Sequence, residues 1–234
     1  MIREVTLRPG LTLLQDSRFF PLTQDSVLLA DFAAGRGLRG RGLDLGAGQG
    51  FLSVLTAIRA PALRLEGIEL VPEAAEIARE NLLRAGLEIP VTAADLKDLP
   101  RSMHGQYDLC LCNPPYFRRG SGKEAHQPAV AAARAAGADI GEVAKAANQA
   151  LKTGGKLYLC FPANRLAPLM CALSLRDFAP KALRPVRDMA DKDASLLLVE
   201  AVKQGGEGMT VLPDLVLRER DGTKTEEYRR IYGE

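Results

Sequence analysis

The sequence has no apolar run long enough to span a bilayer. Its longest stretch without a charged residue, Leu45–Ile58, has 14 residues and three glycines, against the roughly 20 apolar residues that a membrane helix requires. No membrane association is therefore expected. Cysteine is scarce: of four, Cys110 and Cys112 sit inside an apolar run, with no CxxC spacing and no nearby histidine. That excludes a disulfide framework and gives no zinc pattern, so structural, reduced cysteines and no metal are expected. An excess of one charge is also missing. The balance of 31 basic and 29 acidic residues leaves +2, so any contact with a polyanion has to come from local patches. The first residues, MIREVTLRPG, carry Arg3, Glu4 and Arg8 with no apolar run behind them. No secretory signal is expected there, and the expected compartment is the cytoplasm.

Repeats and biased tracts are absent as well, which removes disordered, collagenous and low-complexity scaffolds. What is present is a 234-residue globular mixture, 47% hydrophobic, in which strand-like and helix-like segments alternate. That alternation indicates an α/β fold with a mostly parallel sheet and helices on both faces. Candidate strands are Gly42–Leu45, Leu63–Leu70, Val91–Ala94, Tyr107–Asn113, Lys156–Pro162 and Ser195–Val202. They are short apolar runs suited to burial on both sides. Candidate helices are Phe51–Arg59, Pro72–Ala85, Ile140–Leu151 and Arg165–Leu175. Residues 117–139 and the tail 204–234 resist this scheme and read as attachments to the core. A loop as long as the first is either a functional binding segment or a flexible linker.

The chemistry concentrates at three strand ends. LDLGAGQG, Leu43–Gly50, sets an apolar strand, Asp44 and the glycines Gly46, Gly48 and Gly50 directly before a helix pattern. Backbone there can approach a ligand closely, as in nucleotide cradles; the alternative is a plain tight turn. The spacing is GxGxG and not the GxGxxG of dinucleotide enzymes, which counts against a nicotinamide cofactor. The next strand ends in GIEL, where Glu69 can accept hydrogen bonds from both hydroxyls of a ribose. The third ends in AADL, where Asp95 can accept from an exocyclic adenine amine. Leu70 and Leu96 follow the two acids and can sandwich a purine. Either acid alone is an ordinary surface residue at a strand end, but with the glycine loop the set asks for an adenosine.

Asn113-Pro114-Pro115-Tyr116 follows the apolar strand YDLCLC. An adenine N6 amine is a poor nucleophile, because its lone pair is delocalised into the ring. The Asn113 side-chain carbonyl and the Pro114 main-chain carbonyl can accept from its two hydrogens, favouring a pyramidal nitrogen aimed at a methyl group. Tyr116 can stack on the base. Successive prolines fix both acceptors before substrate arrives, and neither His104 nor His126 is expected to be essential.

LDLGAGQG, GIEL, AADL and NPPY, in this order, resemble the class I S-adenosylmethionine-dependent methyltransferases, in the branch that methylates amino nitrogens. The resemblance covers about 41–162. It implies a Rossmann-like seven-stranded sheet whose last strand is antiparallel, and S-adenosylmethionine bound through Asp44, Gly46, Gly48, Glu69 and Asp95. TQDSVLLADFA (Thr23–Ala33), NPPYFRRGSG, LVLRERDG and TEEYRRIYGE extend the likeness to the bacterial valine-tRNA adenine-N6 methyltransferase family. That family modifies the adenine beside the anticodon. A single methyltransferase domain over 1–234 is then implied, with an N-terminal extension at 1–40, a substrate loop at 117–139 and the C-terminal tail. Members usually carry a polar stretch after the basic loop, where this chain has Ala135-Ala136 following Ala133-Arg134.

NPPY also serves enzymes that methylate a release-factor glutamine, whose amide presents the same two hydrogens. Those carry a helical domain of some 70 or more residues before the glycine loop, whereas about 40 residues precede Leu43 here. Ribosomal guanine-N2 enzymes usually have Phe after the prolines. A non-catalytic RNA-binding protein on the same fold predicts damaged motifs, and these are intact. The partner that the resemblance implies is tRNA; Arg118, Arg119, Lys123 and Arg134 beside the tetrapeptide, with Arg36, Arg39 and Arg41, favour RNA and can hold phosphates, the alternative being a solvated basic surface. No obligate protein partner is evident.

Overall fold

Described residues of the computed structural model are 1–8, 10–114 and 139–234. The proposed contacts of Tyr116, Arg118, Arg119, Lys123 and Arg134 fall outside them. The chain opens with an antiparallel hairpin, β1 (Ile2–Arg8) and β2 (Leu11–Asp16), which forms a two-stranded sheet of its own. Helix α1 (Gln24–Ala34) follows. The alternation anticipated from the sequence then runs through β3 (Gly40–Leu45), α2 (Phe51–Arg59), β4 (Leu63–Glu69), α3 (Pro72–Arg84), β5 (Val91–Ala93) and β6 (Tyr107–Cys112). It resumes with α4 (Ile140–Ala150), β7 (Leu151–Pro162), α5 (Leu166–Ser174), β8 (Phe178–Met189) and β9 (Leu196–Lys203). Two short strands, β10 (Thr210–Val211) and β11 (Leu215–Arg218), and helix α6 (Glu226–Tyr232) close the chain.

The sheet order is β10-β8-β9-β7-β6-β3-β4-β5, with β11 also on β8. Strands β3 to β7 are mutually parallel, and β9 runs antiparallel to both β7 and β8. Seven of these nine strands make the expected arrangement; β10 and β11 extend it. Residues after Gln204 are therefore more than attachments, since they add strands to the sheet edge and pack Ile231 of α6 into the core.

Strand β8 has no counterpart among the sequence-based strands, because Pro180, Pro185 and four charged residues break its apolar pattern. Its place explains the prolines. The outer partners pair only with Ala182 and Leu183 (β10) and with Val186, Arg187 and Met189 (β11), so neither proline is asked for an outward N–H.

Side chains alternate across the sheet into two apolar layers. Leu43, Leu45, Cys110, Cys112, Leu157 and Leu159 face α4 and α5. Leu65, Leu109, Leu111, Tyr158 and Cys160 face α1 and α2. The hairpin packs Leu11 and Leu13 of β2 against Ala75, Ala78 and Leu82 of α3. Two buried amides fasten it. Asn81 accepts from the Leu14 N–H (2.6 Å) and donates to the carbonyls of Leu14 (2.8 Å) and Gln49 (2.9 Å). Gln49 accepts from the Asp16 N–H (2.6 Å) and donates to the Phe20 carbonyl (2.8 Å). Among the described residues, no helix is long and apolar enough to cross a membrane.

An isolated two-stranded hairpin is marginal in water, so these amides should decide whether it stays docked. Asn81→Ala is expected to cost about 3 kcal/mol in urea unfolding, the scale of buried backbone groups left unsatisfied. It should also raise amide exchange selectively in β1 and β2.

Candidate active site

From β3 the chain fills β4 and β5 on one side of the sheet and then returns to β6 on the other. The crevice at such a switch point, beyond the carboxyl ends of the strands, is where open α/β sheets bind ligands. A cavity of about 310 Å³ lies there. Its wall contains Gly46, Gly48, Glu69, Leu70, Asp95, Leu96, Asn113 and Pro114. Eight of the residues singled out in the sequence thus meet around one space.

Asp44 and Gly50, which the sequence groups with them, do not line it. Strand alternation turns Asp44 under the loop, where it is 1% exposed and Ser53 Oγ donates to its Oδ2 at 2.6 Å. Its Oδ1 has no hydrogen-bond partner among the described residues. Burial, with the Glu69 charge adding to it, pushes this carboxyl up to about 7, while the Ser53 bond works the other way. Gly50 has φ +82° and would place a Cβ 3.1 Å from the Ala78 backbone. It is glycine so that α2 can start there and close on α3.

The loop differs in one more respect from a phosphate cradle. The Gly46 and Ala47 amides donate to the Ile68 carbonyl, and Gly50 donates to that of Ala47. The Gly48 amide donates to Glu69 Oε2 at 2.8 Å, and the Val71 amide to Oε1 at 2.9 Å. A pyrophosphate would find these donors occupied and a carboxylate among them. Glycine serves here for close approach at Gly46 and Gly48, where an added Cβ would meet nothing within 4 Å. Burial raises the Glu69 carboxyl above its usual range, and the amides of Val71, Gly48 and Leu70 oppose that shift. A carboxylate has about four lone-pair sites, more than these amides engage, so Glu69 can still accept from a hydroxyl. Asp95 Oδ1 accepts from the Lys97 N–H at 2.9 Å, which fixes its carboxylate at the start of a short 3-10 turn.

Asn113, at the end of β6, has its side chain fixed from two distant segments. Its Nδ2 donates to Ser26 Oγ in the first turn of α1 (3.0 Å), and Cys160 Sγ of β7 lies 3.1 Å from its Oδ1 as a thiol donor. These bonds orient the amide. Ser26, Cys160 and Gln49 escape a reading of the sequence, as do Phe19, Phe20 and Pro21, which wall the cavity. The available signals are TQDS, which enters only as a likeness, and a polar Gln49 inside a loop of small residues.

Two carboxylates, apolar walls and a loop whose Gly46, Ala47, Gly48 and Gly50 amides are already engaged suit an adenosine that carries cationic ammonium and sulfonium groups. The residues present fit S-adenosylmethionine. Because the Asp44 carboxyl titrates from 3.8 in the unfolded chain up to about 7 in the folded one, its burial costs nothing below about pH 4. The cost grows as pH rises and is complete above about 7, on the order of 4 kcal/mol for the full shift. Asp16 works oppositely, since Arg18 beside it holds that carboxyl well below the usual range. The test is therefore a difference: Asp44→Asn should gain stability over the unaltered chain between pH 4 and pH 8 in parallel urea titrations, and a constant difference would contradict a buried carboxylate with only one oxygen hydrogen-bonded.

Three comparisons bear on the family. A tRNA1(Val) (adenine(37)-N6)-methyltransferase of Aeromonas hydrophila is 29% identical over 211 residues, 88% of this chain and 86% of that protein. One of the same description from Porphyromonas gingivalis is 29% identical over 163 residues, 68% of this chain and 64% of that protein. Among solved structures, an Agrobacterium tumefaciens protein described as a predicted O-methyltransferase superposes with TM-score 0.72 at 21% identity, over 90% of this chain and 96% of that one. That last likeness is one of fold. Residues 23–173 match the family model described as methyltransferase small domain, a span that runs from the start of α1 through the glycine loop, both acids and Asn113. The chain belongs to the methyltransferase small domain family.

Proposed function

We propose that this chain transfers a methyl group from S-adenosylmethionine to the N6 amine of an adenine in tRNA, in the anticodon loop next to the anticodon. The observation that carries the reading is the Asn113 amide, held by Ser26 and Cys160 at the mouth of a cavity suited to an adenosyl cofactor. The substrate is supported by the description shared by the Aeromonas and Porphyromonas relatives.

When bound, S-adenosylmethionine supplies a methyl group made electrophilic by its sulfonium. The chain's own groups do the rest. Glu69 accepts the ribose hydroxyls with the lone pairs its amide bonds leave, Asp95 accepts the cofactor's adenine amine, and Leu70 and Leu96 enclose that ring. At the acceptor, the Asn113 and Pro114 carbonyls accept hydrogen bonds from the two N6 hydrogens, turning the nitrogen lone pair out of conjugation; as the N–C bond forms the methyl–sulfur bond breaks to leave a neutral thioether, and one N6 proton then passes to solvent. Tyr116 stacks on the target base, and Arg118, Arg119, Lys123 and Arg134 hold neighbouring phosphates. A paired adenine has its N6 engaged and its ring stacked, so an unpaired loop base is the accessible acceptor.

Asn113→Ala should lower turnover about 100-fold, the scale of one lost transition-state hydrogen-bonding group, while calorimetric cofactor affinity stays within about twofold. Ser26→Ala should lower kcat less, by about tenfold, and Ser26→Thr should restore it. Equal losses of affinity and rate would make Asn113 a scaffold residue.

The acceptor is tested directly with labelled cofactor, unmodified tRNA and nucleoside mass spectrometry. Label in N6-methyladenosine at the anticodon loop is expected. Labelled guanosine, or a release factor labelled in place of tRNA, would overturn the reading.

A further inference from the structure

On the face of the sheet covered by α1 and α2, a second cavity gathers four arginines that the sequence keeps far apart. It is lined by Arg36 just after α1, Arg59 at the end of α2, Arg184 on β8 and Arg230 on α6, with Asp31 among them. Carboxylates answer them only in part. Arg36 pairs with Glu200, Arg184 with Glu227 and Arg230 with Asp31. Glu200 is shared with Lys156, so five cations face three carboxylates. Among the described residues, Arg59 has no carboxylate in hydrogen-bond contact; it donates to the carbonyls of Leu55 (3.1 Å) and Ile231 (2.8 Å). Burial disfavours its charged form, and the nearby Arg230 and Arg8 add to that effect, with Asp31 opposing.

Donor capacity remains after these pairings. Arg36 uses Nε, Arg184 uses Nε and Nη2, and Arg230 uses Nη1 and Nη2. Among the described residues, both Nη atoms of Arg36, Nη1 of Arg184 and Nε of Arg230 make no hydrogen bond. Guanidinium forks in excess of carboxylate match phosphate oxygens. The arginines come from four separate elements around an open space, a layout suited to an extended backbone and not to one enclosed ion.

The distance suits the same ligand. Helix α1 begins at the active-site cavity with Asp25 and Ser26 and ends at this one with Asp31 and Arg36. Ten residues of helix are about 15 Å, which an RNA stem-loop spans. We propose that the cavity lined by Arg36, Arg59, Arg184 and Arg230 is a phosphodiester-binding site for the RNA whose target base sits at Asn113. This rests on the tRNA reading above and adds to it a contact remote from the chemistry.

Two measurements test it. With Arg184→Gln combined with Arg230→Gln, fluorescence anisotropy over a salt series should show tRNA affinity falling about tenfold. The slope of log K against log salt should flatten by about 0.7 to 0.9 for each phosphate that the variant no longer neutralises. KM for tRNA should rise while kcat at saturating tRNA holds. Because the ion pairs also brace α6, the second measurement uses the unaltered protein: tRNA should protect these arginines from phenylglyoxal, read by peptide mass spectrometry. No protection, in a protein that methylates tRNA, overturns this inference and leaves the proposed function standing; a protein that methylates no tRNA overturns the reading beneath it. Inorganic phosphate titrated in low salt separates the sources. If it stabilises the unaltered protein but not the variant, and RNA affinity is equal in both, the site serves a free anion and the RNA assignment fails.

Discussion

Gln49 and Asn81 are buried amides whose hydrogen bonds reach across the chain, and much of the active site hangs from them. Together they tie β2, the 16–20 segment, the glycine loop and α3 into one network. That network sets where the chain leaves the hairpin, hence where Phe19, Phe20 and Pro21 wall the cavity and where α1 begins. The start of α1 places Ser26, and Ser26 holds the Asn113 amide. A side chain inside the glycine loop is thereby coupled, through an N-terminal hairpin, to the residue assigned to the acceptor amine. These hydrogen bonds are buried or partly buried, so loss of one leaves a poorly solvated polar group rather than a softened contact.

The part of this legible in the sequence is the part written in local chemistry. Helix α2 has the bounds that its sequence predicts, because Gly50 before it and the apolar face after it are both local signals. Glu69, Asp95 and Asn113 are legible because each ends an apolar strand, and a parallel sheet brings such ends to one edge. What stays hidden is set at long range. Ser26 and Cys160 lie 87 and 47 residues from Asn113 along the chain. Asp44 carries the acidic signature of a ligand contact, yet the two-residue period of β3 turns it inward toward Ser53. Strand β8 is hidden by prolines whose tolerance depends on neighbours that arrive later in the chain.

Charge is partitioned in a way the total of +2 conceals. The cavity beyond the strand ends concentrates carboxylate at Glu69 and Asp95, suited to a cationic adenosyl group. The face covered by α1 concentrates guanidinium, suited to a polyanion. Helix α1 connects the two, with Ser26 at one end and Arg36 just beyond the other. A composition near neutrality is compatible with strong local fields of both signs, provided that the fold keeps them a helix length apart.

The ends of the sheet carry a consequence of their own. A long, flat, unpaired strand is a template onto which another chain can add, and proteins that leave one exposed tend to aggregate. Here one end is β5, three residues long. At the other, β8 is long enough to recruit a partner, but Pro180 and Pro185 withhold two donors and β10 and β11 cover stretches on either side of Pro185. Neither border offers an extended hydrogen-bonding row. Copies of this chain that meet in a crowded cell find no long unpaired strand at either end of this sheet, among the described residues, through which to adhere.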